Sequence, residues 1–129
     1  MEELTLRKAQ LLAKKIYVHL VEVQDISKQL AEALDRNDQV TARMLIGMRN
    51  EPINSAQKAK QALGALRNDL EPEEALRLTE LLNGAEPLTE QERPLAVQMK
   101  SNEQLLRQTL ALDEILNRKI ARDKSIYPK

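Results

Sequence analysis

The chain of 129 residues has no cysteine, no tryptophan and no phenylalanine, and two tyrosines leave aromatics at 2%. Without cysteine there is no disulfide framework, no thiolate metal site and no cysteine nucleophile. Without aromatic platforms there is nothing on which unpaired bases could stack. Charge of one sign is also missing: 20 Lys and Arg face 20 Asp and Glu, dispersed along most of the length. That pattern argues against an electrostatic footprint for nucleic acid. Long hydrophobic runs are absent, and the opening "MEELTLRKAQLLAKK" alternates charge with apolar residues. No secretory signal or membrane insertion is therefore expected, and the expected location is cytoplasmic.

Glycine is scarce as well. Gly47, Gly64 and Gly84 stand alone, so no loop of the phosphate-cradling kind exists. Gly47 and Gly64 fall inside a helical pattern, where each costs about 1 kcal/mol relative to Ala, and close helix approach is the expected reason for them.

What remains is Leu, Ala, Ile, Val and Met beside abundant Glu, Lys, Gln and Arg, the composition of an all-α protein. With no sustained break in composition, residues 1–129 are read as a single domain. From Leu4 to about Arg36, Ala9, Leu12, Ile16, Leu20, Val23, Ile26, Leu30 and Ala33 recur at steps of three and four, a helix seam. Leu6, Leu11, Val18, Val21 and Leu34 widen that stripe, which suits a helix with more than one neighbour.

Asp35, Asn37 and Asp38 read as turn and cap residues, with Asp38 the N-cap of a second helix. There Thr41, Leu45, Met48, Pro52, Ala56, Ala59, Leu63 and Leu66 keep the spacing. Pro52 lacks the N–H owed to the Met48 carbonyl, so a bend is expected between them, with a helix break as the alternative. "EPEEALRLTELLNG" reads as a short helix that starts at Pro72, has Glu73 and Glu74 in its first turn, and ends at Asn83-Gly84. Thr89 and Glu92 match a capping box for a last helix running to about Lys124, with Pro94 in its first turn. The expected architecture is an elongated antiparallel bundle of three long helices plus one short helix.

Chemistry is hard to find. The one histidine, His19, lies between Val18 and Leu20 inside the first helix and reads as a boundary residue. No Glu-x-x-His pair is present to build a carboxylate-bridged metal bundle. The acids Glu71, Glu73, Glu74 and Glu80 raise the possibility of a magnesium-dependent helical pyrophosphatase, but no matching acidic pair faces them, and acids in a first turn complement the helix dipole. No catalytic residue, metal or cofactor is expected.

The last helix is apolar around more than half its circumference. Leu105, Leu112 and Leu116 line one face, and Leu106, Leu110 and Ile120 spread to the side. Either this helix is sandwiched between the others, or it offers a surface to an amphipathic segment of another protein. Met44, Met48 and Met99 would suit such a surface, since thioethers repack readily.

A long first helix, an Asn-Asp turn, a second helix with an early arginine, a short acidic segment and a Leu-rich last helix resemble the FlgN/FliT-like flagellar export chaperones. The residues carrying the likeness are "LAEALDRNDQVTARMLIGMRNEPI", with Leu30, Leu34, Asn37-Asp38, Leu45, Arg49 and Ile53, and then "LRQTLALDEILNRKI". The resemblance implies a cytoplasmic type III secretion chaperone that holds the helix-prone terminus of a hook-associated or filament-cap protein and prevents premature assembly. It further implies client contacts in the C-terminal part, on Met99, Leu105, Leu106, Leu110, Leu112, Leu116 and Ile120, with Tyr127 an anchor there or at the export gate. A competing reading is a structural or regulatory helical protein that closes its stripes as a coiled-coil-like homodimer.

Overall fold

The computed structural model describes residues 1–122. It is all-helical among these residues: α1 (Glu3–Asp35), α2 (Gln39–Asn68), α3 (Pro72–Leu82) and α4 (Arg93–Arg122). The lengths are 33, 30, 11 and 30 residues.

Local chemistry sets the boundaries. At the α1–α2 turn Asn37 takes a left-handed conformation, φ 57°, which its short polar side chain tolerates. Asp38 then caps α2, accepting from the Thr41 backbone N–H at 3.1 Å and from the Thr41 hydroxyl at 2.7 Å. Those two bonds, the hydroxyl's first, hold the Asp38 carboxyl below the usual carboxylate range. Pro72 begins α3, where its missing N–H has no helical partner to lose, and Gly84 follows the Asn83 cap with φ 96°.

The capping box is half realised. The Thr89 hydroxyl accepts the Glu92 N–H at 3.2 Å, but the Glu92 carboxylate turns to the Leu88 N–H at 2.8 Å and to Arg77 of α3 at 2.7 and 3.0 Å. Arg77 also donates to the Glu86 carbonyl at 2.9 Å, so one guanidinium ties α3 to the segment leading into α4. This fork holds the Glu92 carboxyl below its ordinary range and raises Arg77 further.

For α2 one alternative is not realised and one expectation needs correction. The helix runs unbroken through Pro52, whose ring is buried, so the helix break is not realised. Nor does close packing explain the glycines: a methyl group at Gly47 or Gly64 would meet nothing within 4 Å.

The helix α1 is the centre of the molecule. Both α2 and α4 pack along it, but not against each other, while α3 touches the ends of α2 and α4. One apolar cluster joins Leu6, Ala9 and Ala13 of α1 to Leu63, Leu78, Leu81, Leu95 and Ala96. A second, at the turn end, joins Leu30, Ala33 and Leu34 to Ala42, Leu45, Leu116 and Ile120. Lys119 of α4 pairs with Asp35 near the same end, so α4 runs beside α1 in the same direction. Between the clusters, α1 presents Ile16, Leu20 and Val23 to a space that neither flanking helix fills.

Candidate functional site: an apolar groove between α2 and α4

That space is a groove of about 660 Å³, much more apolar than polar in its lining. Its floor is Ile16, Leu20 and Val23 of α1. One wall is α2 from Arg49 through Ile53 and Ala56 to Leu63, and the other is α4 from Met99 through Leu106 and Leu110 to Asp113. Leu82, Asn83 and Gly84 close the end next to α3. At 1.5 Å per residue each wall is about 21 Å long, or about four helical turns.

The groove exists because α1 keeps its three–four seam through the middle while its two neighbours stand apart. The wide apolar stripe of α1 is covered by two neighbours, and their separation leaves its middle turns only partly covered. Apolar side chains are thus left open chiefly on the α4 wall, where Leu106 is 44% exposed and Leu110 55%, while Ile16, Leu20 and Ile53 are half-buried and Val23 and Leu63 are buried at the base.

Polar groups around the groove are mostly committed to structural bonds. Arg49 donates to Asp113 across the gap at 2.6 Å, joining α2 to α4 where their backbones do not meet. The Arg49 Nε–H is nevertheless buried without a hydrogen-bond partner. Asn102, 6% exposed, donates to the Ala13 carbonyl of α1 at 2.9 Å and accepts from Gln98 at 2.9 Å. The buried Thr109 hydroxyl donates to the Leu105 carbonyl at 2.8 Å.

The residues expected to contact a partner divide into two sets. Met99, Leu106 and Leu110 line the groove. Leu105, Leu116 and Ile120 are a correction: at 6%, 1% and 8% exposure they are core, and Leu112 packs half-buried beside the second cluster. The physical reason is rotation, because the α4 stripe exceeds half the helix and the part turned to α1 is spent on packing. Tyr127 lies outside the described residues. Met44 and Met48 are exposed on α2 away from the groove, as are Leu11 and Val18 on α1.

Sequence reasoning missed the α1 floor and the α2 wall. Ile16, Leu20 and Val23 belong to the seam by spacing, and nothing local marks a seam residue that neither neighbour covers. His19 lies 3.1 Å from Glu22 on the same helix, and Glu80 pairs with Arg77 at 3.8 Å. Among the described residues no three His, Asp or Glu side chains gather as metal ligands, and no helix is long and apolar enough to cross a membrane.

No protein-family model, no curated protein and no solved structure matches this chain.

Proposed function

We propose that the protein is a non-catalytic chaperone whose groove holds one amphipathic helix of another polypeptide. In its specific form it is a flagellar type III secretion chaperone that shields the helix-prone terminus of a hook-associated or filament-cap protein in the cytoplasm. The single observation that carries the reading is the opening between α2 and α4: a four-turn, three-sided apolar trough whose fourth side is solvent. An elongated bundle of three long helices and one short helix, with α2 antiparallel and α4 parallel to α1, leaves room between α2 and α4 for a further helix. A client helix laid there would remove apolar surface from water at ~25 cal/mol per Å², less its ordering cost. Such a balance gives binding that an export apparatus can reverse.

The flagellar assignment rests on the resemblance of the Asn37-Asp38 turn region and of the Leu-rich α4. The non-catalytic assignment is supported by the groove chemistry, in which Asn102, Thr109 and Asp113 already serve the fold. The test is capture of hook-associated or filament-cap proteins from motile cells by the wild-type chain, compared with Leu106→Asp and Leu110→Asp. Both variants are expected to lose the client and to keep the wild-type helical circular dichroism. Retention of the client by both would overturn the reading. Self-association as a homodimer is the competing outcome, seen by light scattering as a doubled mass without any client.

A further inference from the structure

The rim of the groove is charged differently on its two sides. On α2 the charged groups facing it are Arg49 and Lys60; on α4 they are Glu103 and Asp113. Glu103 is also met by Arg107 one turn on, at 2.6 Å, and Asp113 by Arg49. Arg49 is the more informative of the basic pair. Its side chain is 17% exposed and spends Nη2 on Asp113, while its Nε–H stays buried without an acceptor. Lys60 stands eleven residues along the same wall, about 16 Å or three turns away, and is exposed.

Building on the groove reading above, we infer that the occupant is an amphipathic helix with a two-signed border: carboxylates along the edge facing α2, one of them accepting from Arg49 and another, about eleven residues on, meeting Lys60, and cations along the edge facing α4. A helix whose two edges differ in sign fits a two-signed rim in one direction only, because turning it end for end brings acid against Glu103 and Asp113. The rim therefore sets the direction of docking, and the apolar floor sets the affinity.

The same chemistry argues against a second copy of the chain as occupant. One exposed apolar column, Leu4, Leu11 and Val18 of α1, is bordered by exposed Arg7, Lys8, Lys14 and Lys15. Of these, Arg7 is paired with Glu3. That border is mainly basic, and its carboxylates, Glu3 and Glu22 at the two ends, are too far apart to meet Arg49 and Lys60 together.

The experiment uses the full chain and three synthetic 18-residue helices with one Leu stripe and one composition of Glu and Lys. In the first, Glu lies on one edge and Lys on the other; in the second, those edges are exchanged; in the third, Glu and Lys are mixed on both edges. Binding is read by fluorescence anisotropy, and position by the methyl resonances of Ile53, Leu106 and Leu110. The segregated peptides are expected to bind about tenfold more tightly than the mixed one, and both Arg49→Gln and Lys60→Gln to shrink that preference. A spin label at the peptide N-terminus is expected to broaden Leu82 signals for one segregated peptide and Leu45 signals for the other, since exchanging the edges reverses the direction. Equal binding of all three, with the methyl resonances shifted, overturns the charge inference and leaves the groove reading standing. No shift at those methyls with any peptide overturns both, and a doubled mass that no peptide dissociates assigns the groove to a second copy and also overturns the inference.

Discussion

The side-chain amide of Asn102 on α4 donates to the backbone carbonyl of Ala13 on α1 at 2.9 Å, beside the apolar cluster that joins the two helices. A buried amide met on both its oxygen and its nitrogen fixes the axial position of one helix against another, since a slip of one turn would leave it unsatisfied. Here it holds the α4 wall of the groove at a set height above the α1 floor.

Asn102→Ala is expected to lower the unfolding free energy by about 1–2 kcal/mol, the range for a lost buried hydrogen bond with some packing. Urea unfolding followed by circular dichroism checks it, and a midpoint equal to wild type would mean that the bond contributes nothing net.

Leu116, 1% exposed, belongs to the second apolar cluster and not to the groove. Leu116→Ala is therefore expected to cost about 2–5 kcal/mol. The half-exposed neighbour Leu106 is expected to cost under about 1 kcal/mol on the same change. Thermal melts of the two variants side by side decide whether core and groove divide along this line.

Acid stability follows from the Arg77–Glu92 fork. The Glu92 carboxyl is held below its ordinary 4.5, first by the hydrogen bonds from Arg77. A group whose folded value is depressed binds more protons unfolded than folded, so its contribution is fully present above the unfolded value and is lost as pH falls through the folded one. Wild type is expected to lose stability as pH drops below 4.5, and Glu92→Gln to start weaker at pH 7 with a flatter acid limb. Parallel pH profiles of the two would disprove this if their slopes coincided.

At Gly47 and Gly64 a methyl group meets nothing within 4 Å. Both sit inside α2, where glycine costs about 1 kcal/mol relative to alanine. Gly47→Ala and Gly64→Ala are each expected to raise stability by about 0.5–1 kcal/mol, additively because the sites are distant. A loss in either melting temperature would show that α2 needs the glycine for some motion.

Features governed by near neighbours in the chain were legible before the fold was known. The Asp38 cap, Pro72 at the start of α3, Asn83-Gly84 at its end and the three–four seams all follow from local backbone chemistry. The division of α4 was not legible, because Leu105 and Leu106 carry the same side chain, and only the position of α1 makes one core and the other groove. The Arg49–Asp113 bridge joins residues 64 apart, and Glu92 chose Arg77 over its own cap; no local pattern announces such choices. The glycines misled for a related reason, since residue type does not tell a tight approach from open space.

The two apolar clusters are separated by the stretch of α1 that floors the groove. The middle turns of α1 around Leu20 are braced laterally but lack a lid, so amide protons there are expected to open to solvent more readily than those near Ala9 or Leu30. A polypeptide settling into the trough would cover that stretch and tie the two clusters together more tightly. Occupancy would then be felt along the whole rod, as slower exchange at both ends as well as at the centre.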